Sequence, residues 1–225
     1  MEAIILAGGF GTRLQGVVKD VPKPMADVNG RPFLEYVLDD LIQAGFKHAV
    51  LSVGYKHEII MNHFGSKYKD LDISYAIEEE PLGTGGAIRF ALKIIKSDYF
   101  FVLNGDTLFR INYQEMIHPE PIVMALKYLN QNDRYGQVTF KNGYVSSFIE
   151  KGSASKEGYI NGGIYRFHRA FLESLMLPKK FSLEKDVLEK HVFLKPIKGV
   201  SFDAYFIDMG IPEDYQKLKE DLLYE

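Results

Sequence analysis

Two cations and a run of glycines lie close together near the start of the chain. Arg13 closes the stretch Gly8-Gly9-Phe10-Gly11-Thr12-Arg13, and Lys23 follows between Pro22 and Pro24. Glycines let backbone N–H groups approach phosphate oxygens, arginine offers a planar fork for two such oxygens, and lysine supplies a point charge. The combination reads as a phosphate cradle. Two acids from distant parts of the chain complement it: Asp106, on the turn Asn104-Gly105-Asp106, and Asp208, which ends the apolar run Phe206-Ile207-Asp208. Transfer of a phosphoryl-type group gathers negative oxygens, so a divalent ion is the expected partner, and magnesium takes a few carboxylates and water. Read singly, Asn-Gly-Asp is an ordinary turn and Asp208 a helix-capping carboxylate. For Asp106, a predicted place at one sheet edge with the glycine loop favours the metal reading.

Other chemistries lack their residues. Leu14 stands where a dinucleotide fingerprint needs its third glycine, Gly-Lys-Ser/Thr occurs nowhere, and His57-Glu58 has no second histidine at metal spacing. The absence of cysteine excludes disulfides, thiolate metal sites and cysteine nucleophiles. No nucleophile–base pair is evident. A phosphate monoester, with its second pKa at ~6, is largely dianionic at neutral pH, so as a nucleophile it would need no general base.

The elements that must position these residues follow from periodicity. Ala3–Ala7, His48–Val53, Ile73–Ile77 and Tyr99–Leu103 are predicted strands. Between them, Phe33, Leu34, Val37, Leu38, Leu41 and Ile42 recur at helical spacing, and Gly45 suits the helix C-terminus. Further helices are predicted over Lys56–Phe64 and Thr84–Ile95. This alternation predicts an α/β fold: a Rossmann-like, mostly parallel central sheet with helices on both faces. After Asp106 strands follow one another, with Lys141-Asn142-Gly143 marking a hairpin, so a small antiparallel β extension is expected. Ser182 is placed to cap a helix over Leu183–Lys190, and Pro212 to open the last one, Glu213–Leu223.

At 225 residues and 46% hydrophobic, the chain can bury a proper core as one domain. A net charge of −3, with no basic-aromatic block, gives nothing to attract a nucleic acid polymer. No run approaches the ~18 apolar residues of a membrane span. The apolar opening lacks a basic flank, so it reads as a buried strand, and a cytoplasmic home is expected. A homodimer is compatible with the sequence, since a twofold interface needs no motif.

Leu6-Ala7-Gly8-Gly9-Phe10-Gly11-Thr12-Arg13-Leu14, followed by Pro22-Lys23-Pro24-Met25, resembles the signature of the sugar-phosphate nucleotidylyltransferases. The resemblance implies that this loop wraps a nucleoside triphosphate, that Arg13 neutralises the departing β- and γ-phosphates, and that Lys23 bridges the phosphates being joined. Phe206-Ile207-Asp208-Met209-Gly210-Ile211-Pro212-Glu213-Asp214-Tyr215 is similar to the family's Asp-x-Gly-Thr-Pro-x-Asp-Tyr ending, with Met209 and Ile211 as variants. Asp106 and Asp208 are thereby implied as the Mg2+ pair.

Glu78-Glu79-Glu80-Pro81-Leu82-Gly83-Thr84 resembles the base-binding loop, which implies nucleotide contacts from Glu78, Pro81, Gly83 and Thr84. A carboxylate accepts only, which suits guanine's adjacent N–H donors, though cytosine's amino group can also meet it. Tyr135-Gly136, Phe148-Ile149-Glu150-Lys151 and Asn161-Gly162-Gly163-Ile164-Tyr165 resemble the sugar-contact segments. They imply a sugar-phosphate site of Lys23, Asn104, Gly136, Glu150, Lys151, Asn161 and Gly162. By the same resemblance, residues 1–110 bind nucleotide and 111–225 the sugar, with the antiparallel extension on the sugar side. Among compact members the likeness is to the heptose 1-phosphate guanylyltransferases of surface-polysaccharide pathways. The implied reaction joins GTP to a sugar 1-phosphate, giving a GDP-sugar and pyrophosphate.

Overall fold

In a computed structural model, which describes residues 1–9, 14, 16, 18, 20–131, 135–149 and 157–223, the predicted alternation is present. Strands β1 (Glu2–Leu6), β4 (His48–Val53), β6 (Leu71–Ile77) and β7 (Tyr99–Asn104) are parallel neighbours in the order β7-β1-β4-β6. Their side chains are apolar on both faces. Ala3 and Ile5 enter one core and Ile4 the other, and β7 divides likewise, Phe101 and Leu103 against Phe100 and Val102. Near-continuous apolar runs are what a parallel strand covered on both sides requires.

Helix α1 (Phe33–Gln43) covers the first face with Phe33, Leu34, Val37, Leu38 and Leu41, all buried. Each such side chain contributes roughly 1.5–3 kcal/mol of burial free energy. The helix stops where Gly45 takes φ +83, a left-handed turn that glycine adopts without penalty. Helix α2 (His57–Phe64) follows β4, and α3 (Gly83–Ala91) covers the opposite face through Ile88 and Ala91.

The sheet as a whole is mixed rather than mostly parallel. Among the described residues it has ten strands, with the short β5 (Lys67–Tyr68) at one edge, and parallel pairing there holds for β6-β4-β1-β7 and for one further pair. That pair is β9 (Ile122–Leu129) with β13 (Ile197–Ser201). Strand β12 (Gly158–His168) runs antiparallel between β7 and β9. The hairpin of β10 (Gln137–Lys141) and β11 (Tyr144–Ile149) turns through Asn142 and Gly143 at φ +52 and +80, the left-handed pair a two-residue hairpin needs. Its strands do more than extend the sheet. β10 also pairs with β12, and β11 with β13, so β10-β11-β13-β9-β12 closes into a ring of pairings. Local alternation reveals the strands but not this closure.

Four short strands form two further pairs among the described residues. β2 (Asp27–Val28) and β3 (Arg31–Pro32) form one hairpin, and β8 (Thr107–Phe109) pairs antiparallel with β14 (Phe206–Asp208). The last helix, α6, spans Pro212–Asp221, opened by Pro212 as expected. Ser182 does cap: its Oγ accepts from the Lys185 N–H at 3.2 Å. The element it opens is a π-helical turn over Leu183–Leu188 that continues into α5 (Glu189–His191), beyond the brief helix α4 (Arg169–Glu173). A π turn depends on what the segment packs against, and residue preferences predict only a helix.

At the N-terminal end of the sheet, Glu2 ties three elements together. Its carboxylate meets His48 Nδ1 at 2.7 Å and accepts from the backbone N–H groups of Lys96 and Ser97 at 3.0 and 2.6 Å. Burial alone pushes this carboxyl up, but hydrogen bonds from Ser97, His48 and Lys96 together outweigh it and hold it at about 2. The folded value lies below the unfolded one. The contribution is therefore complete above the ordinary value of 4.5 and is lost as pH falls through 2. Glu2→Gln is expected to cost about 2 kcal/mol at neutral pH. Denaturant melts across the acid range should show the gap closing towards the lower pH; a constant gap would exclude this origin.

Candidate active site

Strand β1 lies between β4, reached through α1, and β7, reached through α3, so the chain switches sides of the sheet at β1. Such a switch point opens a crevice at the carboxyl ends of the strands. A cavity of about 330 Å³ occupies that position. The end of β1 contributes Leu6, Gly8 and Gly9, and the turn after β7 contributes Asn104 and Asp106. The loop before α3 adds Glu78, Pro81, Gly83 and Thr84. Nine residues chosen from sequence therefore share one cavity wall. Ala7 stands just behind it, buried, with its N–H donated to the Ser52 carbonyl at 2.8 Å.

The two acids meet through a ladder. β8 leaves the Asn104-Gly105-Asp106 turn and pairs with β14 so that Asp208 lies opposite Thr107, and the Met209 N–H donates to the Asp106 carbonyl at 2.9 Å. Asp208 does not cap the last helix, whose N-cap is Ile211. Gly105 makes the turn possible: its N–H donates to the Leu6 carbonyl at 3.0 Å, and a Cβ there would lie 2.5 Å from that same oxygen.

Lys23 joins both acids. It sits in a single 3-10 turn, Lys23–Met25, entered through Pro22 in an extended conformation. Its ammonium lies 2.6 Å from Asp106 Oδ2 and 3.9 Å from Asp208 Oδ1. One cation thus reaches both carboxylates, of which Asp106 lines the glycine-lined cavity. Among the described residues, no group of three or more His, Asp or Glu side chains is placed to hold a metal. An oxygen-only pair nonetheless fits magnesium, which draws its remaining ligands from substrate phosphates and water.

The base loop differs from its reading in one respect. Gly85 and Gly86 donate their N–H groups to the Phe181 carbonyl at 3.1 and 3.2 Å. A Cβ on Gly83 would lie 2.5 Å from that carbonyl oxygen, on Gly85 2.2 Å from the Phe181 ring, and on Gly86 2.6 Å from the Lys179 carbonyl. These glycines admit a neighbouring stretch of the same chain, which also satisfies the first N–H groups of α3. Arg89 fastens that stretch, donating to the Leu177 carbonyl at 2.9 Å and to the Pro178 carbonyl, with its guanidinium 4.7 Å from the Phe181 ring centre.

Glu78 itself is firmly oriented. Oε1 accepts from Ser52 Oγ and Oε2 from the Leu82 N–H, both at 3.0 Å. Each oxygen retains a second lone pair. Ser52 is fully buried, and neither it nor Glu184, which also lines the cavity, is singled out by the sequence. A serine inside an apolar strand carries a weak signal at best, and Glu184 none.

Of the segments expected to contact sugar, Asn161 and Gly162 lie at an irregularity in β12 between Asn161 and Tyr165. The Asn161 amide donates to Tyr165 Oη at 2.6 Å, and its oxygen accepts from the Gly163 N–H at 3.1 Å. A Cβ on Gly162 would press within 2.5 Å of the Phe109 ring, and one on Gly163 within 2.7 Å of Asn104 Nδ2, so the bulge abuts the cavity's Asn104. Gly136 stands beside the Ile149 carbonyl at the start of β10. Gly11, Thr12, Arg13, Glu150 and Lys151 lie outside the described residues.

A doubly wound core with a glycine-lined crevice, beside which one lysine reaches two carboxylates, fits a nucleotide-using transferase. The chain belongs to the nucleotidyl transferase family, whose model matches residues 2–225. It is 45% identical to the D-glycero-alpha-D-manno-heptose 1-phosphate guanylyltransferase of Aneurinibacillus thermoaerophilus, across 99% of this chain and 98% of that protein. Identity to the enzyme of that name from Campylobacter jejuni is 46%, across 96% and 97%. The crystal structure of HddC from Yersinia pseudotuberculosis complexed with GMP-PN matches with a TM-score of 0.87 at 36% identity, covering 98% of this chain and 99% of that one. No helix among the described residues is long and apolar enough to cross a membrane.

Proposed function

We propose that the protein transfers a guanylyl group from GTP to D-glycero-α-D-manno-heptose 1-phosphate, giving the GDP-heptose and pyrophosphate. The observation that carries this reading is the approach of Lys23 to both Asp106 and Asp208, with Asp106 in the wall of the glycine-lined cavity. The near-full-length identity to guanylyltransferases of that sugar supports the choice of substrates.

In this reading an oxygen of the sugar phosphate forms a bond to the α-phosphorus while the bond from that phosphorus to the β-phosphate oxygen breaks. The pair of electrons leaves with pyrophosphate. Both partners are anions, so positioning and charge neutralisation are the main demands. Lys23 draws the two phosphates together, the backbone about Gly8 and Gly9 holds the triphosphate, and Arg13 meets the departing phosphates. Asp106 and Asp208 would hold Mg2+, which supplies further charge neutralisation and alignment of oxygens. Residues 1–110 serve the nucleotide and 111–225, with Glu150, Lys151, Asn161 and Gly162, the sugar phosphate. The reaction draws on cytoplasmic GTP, and its product is an activated sugar of the kind that surface polysaccharides consume.

Measuring pyrophosphate release from each nucleoside triphosphate with heptose 1-phosphate and mannose 1-phosphate tests the reading. Release with GTP and the heptose, abolished by a chelator and restored by magnesium, is expected. No release with any pair would leave a nucleotide-sugar sensor as the better account.

Guanine selection is assigned to Glu78, whose fixed carboxylate faces the cavity wall. Glu78→Gln places a donor where guanine presents donors, and hydrogen bonds to a charged group are worth ~1.5–3 kcal/mol. The GTP/CTP ratio of kcat/KM should fall by about tenfold or more. An unchanged ratio would take base reading away from this residue.

A further inference from the structure

Glu184 brings a third carboxylate to the cavity from a segment 100 residues beyond Thr84. Its Oε2 accepts from Thr84 Oγ1 at 2.7 Å and from Ser182 Oγ at 2.8 Å. Those hydroxyls are themselves fixed, since the Leu183 N–H donates to Thr84 Oγ1 at 2.8 Å and the Lys185 N–H to Ser182 Oγ at 3.2 Å. Both hydroxyl hydrogens therefore point at one carboxylate oxygen. The group is held in one orientation in a residue of the cavity wall, and among the described residues Oε1 accepts no hydrogen bond.

Fastening the segment does not require this. Phe181, Arg89 and the glycines of α3 already bind it through backbone and ring contacts. A carboxylate accepts hydrogen bonds and donates none, so it repels phosphate and suits hydroxyl groups. The phosphate-seeking cation Lys23 is meanwhile held by Asp106, in the cavity wall, and by Asp208.

We infer that Glu184 is a substrate-binding residue whose Oε1 accepts hydrogen bonds from the vicinal hydroxyls of a bound substrate. The inference rests on the reaction proposed above, where such hydroxyls come from the ribose of the nucleotide or from the sugar of the sugar 1-phosphate. Thr84 and Ser182 are its positioning residues.

Glu184→Gln is an informative variant because the two hydroxyl donors retain the amide oxygen. The NH2 group then faces the ligand, replacing an acceptor by a donor while the local fastening survives. Calorimetry with GTP, 2′-deoxy-GTP, 3′-deoxy-GTP and D-glycero-α-D-manno-heptose 1-phosphate, each on parent and variant, separates the sources. A ribose contact predicts about tenfold weaker GTP binding by the variant, together with loss of the parent's preference for GTP over one deoxynucleotide. A sugar contact predicts a similar loss for the sugar phosphate alone. Ser182→Ala, which frees the carboxylate to rotate, should give a smaller loss for the same ligand. Parent-like affinity of Glu184→Gln for all four ligands, or an equal loss for all four, would overturn the inference. Failure of the parent to release pyrophosphate would instead count against the reaction, since the calorimetric comparison does not depend on turnover.

Discussion

Asp106→Asn is expected to lower kcat by about a thousandfold while leaving the fold intact. The carboxylate lies on a turn whose geometry comes from Gly105 and the Leu6 carbonyl, neither of which the substitution touches. Asparagine keeps an oxygen able to accept from Lys23, so the 2.6 Å contact loses its charge but not its hydrogen bond. What disappears is one of two negative charges that make this end of the cavity fit a divalent ion. The pair at stake is partly exposed, and ion pairs of that kind contribute little to stability. The melting temperature should consequently move by only a few degrees. Asp208→Asn should behave in the same way, because β14 and β8 stay paired. Steady-state pyrophosphate release beside a thermal melt makes the measurement. Turnover within tenfold of the parent would remove Asp106 from the reaction centre, and with it the functional reading of the ladder.

Gly83→Ala is expected to cost about 3–5 kcal/mol, through two effects that add at one residue. Gly83 sits at φ +72, where an L side chain is strained, and its added Cβ would lie 2.5 Å from the Phe181 carbonyl oxygen. That contact is with backbone, which cannot swing aside as a flexible side chain can. Gly30 provides the comparison, since its φ is +84 and a Cβ there meets nothing within 4 Å. Gly30→Ala isolates the conformational cost, about 1 kcal/mol. The excess for Gly83→Ala measures the packing of the Lys179–Leu183 stretch on α3. For a chain of this size the melting temperature should fall by about 10 °C. The loss should also spread to ligand binding, because Glu184 and Thr84 are held by the same stretch. Equal melting temperatures for the two variants would mean that Phe181 yields without resistance.

Much of the cavity wall was legible in the chain. Gly8 and Gly9 after β1, the Asn104-Gly105-Asp106 turn after β7 and the loop before α3 all line the cavity, as their places after strands implied. Strand ends in a parallel sheet share an edge, so motif positions along the chain translate directly into positions in space. The amide of Asn161, read as a sugar contact, is engaged with Tyr165 and Gly163 in this structure, and only the bulge it shapes reaches Asn104.

The sequence by itself determined the parallel strands, helices α1, α2 and α6 and the Asn142-Gly143 turn, because periodicity and turn preference are set by near neighbours in the chain. The helix read over Thr84–Ile95, by contrast, ends at Ala91, and that over Leu183–Lys190 begins as a π turn. The tertiary structure alone decided that Asp208 lies opposite Thr107, that the glycines of α3 receive Phe181, and that Glu184 enters the cavity. Those outcomes depend on segments about a hundred residues apart finding one another. Such pairings are selected by the packing free energy of the whole molecule, which no local pattern encodes.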